Sequence, residues 1–295
     1  MAEGFLLVDK PGGWTSHDIV ARARSLLDEQ RIGHAGTLDP MATGLLVLGV
    51  GRATRLIRFV QEAPKLYEAT ALFGVATDTL DADGAILSRE EMHFDEGDVR
   101  RTAKRFIGRI LQVPPMVSAK KVDGRRLYEL ARRGEEVERE ATTVEIHDIE
   151  ILDVSPGPYP EVVFRVRCGS GTYVRTLADD IASALGGRAH LTALRRSAIG
   201  SLGVDDAHTI EDLAAAAGAG SIGGLVISPA EGLRDLPSVA VAADTATAVG
   251  HGSVFPAGAL GLGEPGHHVI LDGEGTLLAV YRSDGRRAVP EVVMS

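Results

Sequence analysis

The chain has 295 residues and carries 41 acidic against 31 basic side chains, a net charge of −10, with 44% apolar and 24% charged residues. That length and balance suit one large globular domain, or one with a small appendage. No apolar run is long enough to span a bilayer as a helix and no basic-then-apolar leader opens the chain, so a cytoplasmic protein is expected. The single cysteine, Cys168, rules out an internal disulfide framework and reads as a small residue of a strand in a reducing compartment.

In chain order, residues 4–9 are apolar enough for a short strand, closed by the turn Lys10-Pro11-Gly12-Gly13. Thr15 or Ser16 is placed to cap a helix over 18–27, in which Ile19, Val20, Ala23, Leu26 and Leu27 recur at helical spacing. The glycine-rich turn lacks the Gly-x4-Gly-Lys-Ser/Thr order of a phosphate-binding loop.

Residues 33–44, GHAGTLDPMATG, then precede an unbroken apolar run over 45–50 that reads as a buried strand. Glycines permit sharp turns here, and Pro40 disfavours helical geometry at Asp39, so a carboxylate sits on a stiff loop against a core strand. Asp39 serves either as a nucleophile or base, or as the cap of an Asp-Pro turn, and spacing alone leaves both open. His34 lies five positions before it, but that spacing matches no metal-binding pattern, and neither metal nor cofactor is expected.

A strand follows over 67–74, where a lone tyrosine, Tyr67, is by default a half-buried core residue. Asp78, Asp81, Asp83 and Gly84 look superficially like a calcium loop, yet Arg89 stands where the closing glutamate belongs, so a polar turn is expected. A helix over 96–106 leads to Gln112-Val113-Pro114-Pro115, which breaks regular structure.

Lys120, Lys121, Arg125, Arg126, Arg132 and Arg133 then cluster around Gly124, with Glu129, Glu135 and Glu136 interleaved. Residues 100–140 hold twelve Lys/Arg against six Asp/Glu, a local charge of +6, whereas residues 200–295 hold four against twelve, a charge of −8. Because charges more than about 10 Å apart are largely screened at 0.1 M salt, a basic segment can grip a phosphate backbone despite the acidic whole.

Strands are expected over 142–154 and 161–168, and a helix from Arg175 to 185. Helix polarity disfavours a cation at that position, which calls for a carboxylate partner. After Ser197 small residues dominate, and Leu236-Pro237 marks a boundary before short glycine-separated strands at 269–271, 277–281 and 289–293.

Five blocks resemble the TruB family of tRNA pseudouridine-55 synthases: LLVDKPGGWTSHDIV with GHAGTLDPMATGLLVLGVGRATR, KLYEATALFGVATDTLDADG, GRILQVPPMVSAKKVDGRRLYELARRGEEVERE, and CGSGTYVRTLADDIASALGGRAHLTALRRSAIG. The resemblance implies an α+β pseudouridine synthase fold. Its central sheet would be mixed, mainly antiparallel and flanked by helices over residues 1–236, with a small β-rich, PUA-like domain over 237–295.

It further implies isomerisation of a T-loop uridine in tRNA by base flipping, with Asp39 as nucleophile, Tyr67 stacking on the uracil and Arg175 pairing with Asp39 to keep it ionised by lowering its pKa. Tyr173 and Leu194 would shape the uridine pocket, His34 would hold the flipped RNA, and Lys10-Pro11 would pack nearby in a structural role. The basic segment would close on the T arm, and a monomer working without cofactor or membrane is expected. An RNA-binding protein that assists tRNA folding without catalysis is the alternative.

Overall fold

The computed structural model describes residues 2–116, 121–122, 125–126, 137 and 139–294. The chain opens with β1 (Gly4–Lys10), α1 (Ser16–Leu27), β2 (Ile32–His34), β3 (Thr43–Val50), α2 (Ile57–Glu62) and β4 (Lys65–Phe73). A hairpin of β5 (Val75–Thr77) and β6 (Ile86–Arg89) precedes α3 (Glu96–Lys104), β7 (Gly108–Gln112) and two short paired strands, β8 (Lys121–Val122) and β9 (Arg125–Arg126). Then come β10 (Thr142–Ser155), β11 (Glu161–Cys168), α4 (Val174–Ala184), β12 (Ala189–Ile199), β13 (Leu202–Gly203), α5 (Ile210–Gly218) and α6 (Pro229–Gly232). The last stretch carries β14 (Ser238–Ala240), α7 (Ala243–Gly250), β15 (Phe255–Pro256), β16 (Gly266–Leu271), β17 (Leu277–Ser283) and β18 (Arg287–Val293).

The large sheet runs β1-β3-β12-β4-β11-β10-β7, with β2 added to β3 and β13 to β12. Its pairings are antiparallel except β12 with β3, which run parallel. Period-2 alternation explains the layering. Ala69, Ala71 and Phe73 of β4 and Val162, Phe164, Val166 and Cys168 of β11 point into a core closed by Val174, Leu177, Ala178 and Ile181 of α4 and Val99 and Ala103 of α3. Glu68 and Arg165 alternate onto the opposite face, where Arg165 pairs with both Glu68 and Glu150 in solvent.

Where β3 meets β12, Gly44 has φ of +98° and a Cβ there would strike the backbone of Arg196. Glycine at this position therefore lets the loop of Asp39 enter the sheet beside β12.

The smaller sheet, β14-β16-β17-β18-β15, rests against α2 through one continuous apolar cluster that includes Phe59, Val60, Leu202, Val269, Val280 and Val292. Polar contacts rim it: Glu291 reaches Arg58 at 2.8 Å and Arg282 at 3.0 Å, and Arg55 donates to the carbonyl of Val293 at 2.7 Å. No helix among the described residues is long and apolar enough to cross a membrane.

Candidate active site

The loop bearing Asp39 is held from three directions. Thr15 caps α1, so Ser16 falls inside the helix, buried, and its hydroxyl both accepts from the Leu38 amide at 2.9 Å and donates to the Leu38 carbonyl at 3.2 Å. The Gly13 amide donates to the Pro40 carbonyl at 2.8 Å. The fully buried Lys10 ammonium donates to the carbonyls of Trp14 at 2.6 Å, Pro11 at 3.0 Å and Pro40 at 3.2 Å, stitching the β1–α1 turn to the loop. Leu38 and Ala42 are buried in the main core on either side, which leaves Asp39 poised between two anchors with a third of its side chain accessible.

That carboxylate meets Arg175 on the first turn of α4, Nε to Oδ2 at 3.0 Å. Arg175 is itself only 3% exposed and divides its guanidinium, since Nη1 bonds Asp81 Oδ2 at 2.9 Å and the Thr79 carbonyl at 2.8 Å. Asp81 is fixed in turn by the Thr79 hydroxyl at 2.5 Å and the Asp83 amide at 3.2 Å. Beside it Leu80 adopts φ of +62°, a conformation that costs a branched side chain about 1 kcal/mol or more. The polar turn expected here is present, and within it Asp81 alone is buried, as a support for Arg175. The sequence signal for Asp81 is weak, because Asp-x-x-Asp-x-Asp over 78–83 is an ordinary acidic turn and nothing in its spacing points to residue 175.

The electrostatics at Asp39 run against the sequence expectation. Arg175 was to hold Asp39 below the ordinary carboxylate range, but burial pushes its carboxyl up, and Asp81 and Asp83 push the same way, against the pull of Arg175 and Lys10. A guanidinium shared between two carboxylates cannot offset the desolvation of one of them. Burial also pulls the Lys10 ammonium down to about 8, opposed by Asp39 and reinforced by Arg196.

Around this centre stand the other predicted residues. Tyr67 sits opposite Arg196 of β12 and Val166 of β11, and its ring packs on the core cluster that contains Leu38, Ala42 and Leu194. Burial raises the pKa of the Tyr67 hydroxyl, opposed by the charge of nearby Arg196, whose guanidinium donates to the carbonyls of Leu45 at 2.8 Å and Gly36 at 3.1 Å. Arg196, fully buried and paired across the sheet with Tyr67, thus ties β12 to both ends of the loop that bears Asp39, a role its sequence neighbours do not disclose.

His34, on β2, lies edge-to-face with His17, ring centroids 5.5 Å apart, and its Nδ1 is buried without a hydrogen-bond partner among the described residues. Burial, then His17 and Arg196, lower its pKa, so the ring is neutral at pH 7. Tyr173 immediately precedes α4, and Leu194 is buried.

Of the basic cluster, Lys121 faces Arg126 in the β8–β9 pair, next to Arg125; Lys120, Arg132 and Arg133 lie outside the described residues. Among the described residues no group of three or more His, Cys, Asp and Glu is arranged to hold a metal ion.

The fold is the pseudouridine synthase fold. The chain superposes over its whole length on 84% of the matched chain in the crystal structure of a Cbf5-Nop10-Gar1 complex, with TM-score 0.77 and 25% identity. A family model described as TruB family pseudouridylate synthase, N terminal domain, matches residues 24–174, and one described as tRNA pseudouridylate synthase B C-terminal domain matches 175–231. The tRNA pseudouridine synthase B of Thermobifida fusca is 50% identical over 221 residues, covering 73% of this chain and 75% of that protein. Its namesake from Symbiobacterium thermophilum is 47% identical over 256 residues, covering 86% and 83%. This chain belongs to the TruB family of pseudouridylate synthases.

Proposed function

We propose that this chain is a tRNA pseudouridine synthase, an isomerase that converts the target uridine of the T loop to pseudouridine, acting as a cytoplasmic monomer. The observation that carries the reading is Asp39, partly accessible, 3.0 Å from a buried arginine inside the fold of that family. The target nucleotide leaves its stack, at a cost of a few kcal/mol, and its uracil lies on the Tyr67 ring, which returns about 1–3 kcal/mol. Tyr173 and Leu194 wall the pocket, and the neutral His34 occupies the space vacated in the RNA.

Asp39 then attacks C1′ and displaces uracil N1. The base turns within the pocket, C5 attacks C1′ and expels the carboxylate, the C5 proton leaves to solvent and N1 regains one, so Asp39 emerges as it began. A desolvated carboxylate is a stronger nucleophile than one in water, so the upward push on Asp39 suits attack, while Arg175 holds it in the ionised, aimed state. Lys120, Lys121, Arg125, Arg126, Arg132 and Arg133 grip the T-arm backbone.

The test is tritium release from a tRNA transcript labelled at uridine C5, without added metal or nucleotide. Wild type releases tritium and no free uracil, and Asp39→Asn releases none. Release by both proteins, or by neither, overturns the assignment, and the latter leaves assisted folding of tRNA as the function.

A further inference from the structure

The N-terminus of α4 carries a conflict. Its N-cap residue is Tyr173, which has no side-chain acceptor for the helix's open amides, and its first turn holds the cationic Arg175 and no acidic residue. Such a terminus should fray. It is instead received by a residue 61 positions earlier: Gln112, the last residue of β7 and only 1% exposed, accepts from the Tyr173 amide through Oε1 at 2.8 Å and donates through Nε2 to the Tyr173 carbonyl at 3.1 Å. The same carbonyl takes the first helical bond, from the Leu177 amide at 3.0 Å.

A two-point amide clasp holds the two peptide units that flank the Tyr173 Cα, fixing the backbone at the entry to the helix, and Arg175 leaves the backbone two residues later. Gln112 is held in its own turn by pairing with Thr142, whose hydroxyl donates to the Gln112 carbonyl at 3.4 Å.

We propose that Gln112 is a positioning residue for the isomerase, acting through Tyr173 to set the approach of Arg175 to Asp39. Its side-chain amide is hydrogen-bonded to Tyr173, and it lies at the end of the strand from which the basic segment departs. Since displacement of a catalytic group by about 1 Å can cost about a hundredfold in rate, losing the clasp lowers kcat while leaving tRNA capture intact. The inference rests on the isomerase reading for its kinetic arm alone.

The experiment compares wild type, Gln112→Ala and Gln112→Glu, with Val144→Ala, a buried neighbour on β10, as a control for general loosening. Gln112→Ala is expected to lower kcat about ten- to a hundredfold with KM for tRNA within about threefold. It should also move the acid limb of the pH profile upward, because a displaced Arg175 opposes the burial of Asp39 less well. Gln112→Glu keeps the acceptor for the Tyr173 amide and sets an oxygen against its carbonyl, and should fall in between.

Hydrogen exchange at the Tyr173 and Val174 amides, read in the free protein, should quicken in Gln112→Ala and not in Val144→Ala. An unchanged kcat, a defect confined to KM, or an acid limb that moves equally in Val144→Ala overturns the proposal. If wild type shows no isomerisation, the reading of function fails, and the exchange rates with the titration of the Asp39 carboxyl decide on the clasp by themselves.

Discussion

At the scale of single residues, the buried cluster of Asp39, Arg175 and Asp81 makes opposite demands on stability and activity. A carboxyl whose folded pKa lies above its unfolded value binds its proton more tightly in the native state, so stability falls as pH rises through the interval between the two. At neutral pH an ionised Asp39 therefore weighs against the fold. Asp39→Asn removes that charge and leaves Arg175 bonded to Asp81 and Thr79, so a thermal melt at pH 7 should give a Tm equal to or above that of wild type while activity drops by at least about a thousandfold. A clear fall in Tm would mean that Asp39 is structural. Wild-type kcat should decline on acidification while an ordinary exposed aspartate would still be ionised, and raising the pH should restore it. The loop left Asp39 as either a nucleophile or the cap of an Asp-Pro turn, and the demand of Arg175 for a carboxylate was readable from helix polarity, but the second carboxylate was not, because only the closed fold brings residue 81 to residue 175.

At the scale of elements, the strands with clean alternation were legible, and β12 was not. His190, Arg195 and Arg196 interrupt its apolar pattern, and two register shifts, between Leu191 and Ala193 and between Arg196 and Ala198, break the period on which strand recognition depends. Those irregularities let β12 bury an arginine beneath the active site. Lys10 ends a strand before Pro-Gly-Gly, where the resemblance implied a structural role but no spacing named its partners, and its ammonium is the knot of three carbonyls. Loss of its proton removes one of three donors and leaves a buried acceptor unpaired, a cost of about 1–3 kcal/mol at the Asp39 loop. Activity should therefore fall on the alkaline side near pH 8, in step with the lowered Lys10 pKa. Lys10→Met should be slower by about ten- to a hundredfold at pH 7 and should lack that limb. A limb that persists in Lys10→Met would assign it to another group.

At the scale of the whole molecule, two balances decide behaviour. The smaller sheet is joined to the larger by apolar area and by the half-exposed ion pairs of Glu291. Partly solvated pairs contribute about 1 kcal/mol or less, whereas truncating a buried phenylalanine costs about 3–5. Denaturant melts should accordingly show Phe59→Ala far less stable than Glu291→Gln, and the reverse order would make the polar rim the true fastening. The second balance is charge. A chain of net −10 ought to be repelled by RNA, yet +6 of local charge lies within residues 100–140. Screening decides between them, because at 0.1 M salt the acidic last third is felt only within about 10 Å. Affinity for tRNA should then fall steeply with salt, each phosphate contact adding about 0.7–0.9 to the slope of log K against log salt. Replacing Arg132 and Arg133 together by alanine should flatten that slope by about 1.5 and weaken binding, while single-turnover isomerisation at saturating enzyme stays at the wild-type rate. An unchanged slope would move the grip to another surface, and a slowed single turnover would give the two arginines a part in the chemistry as well as in capture.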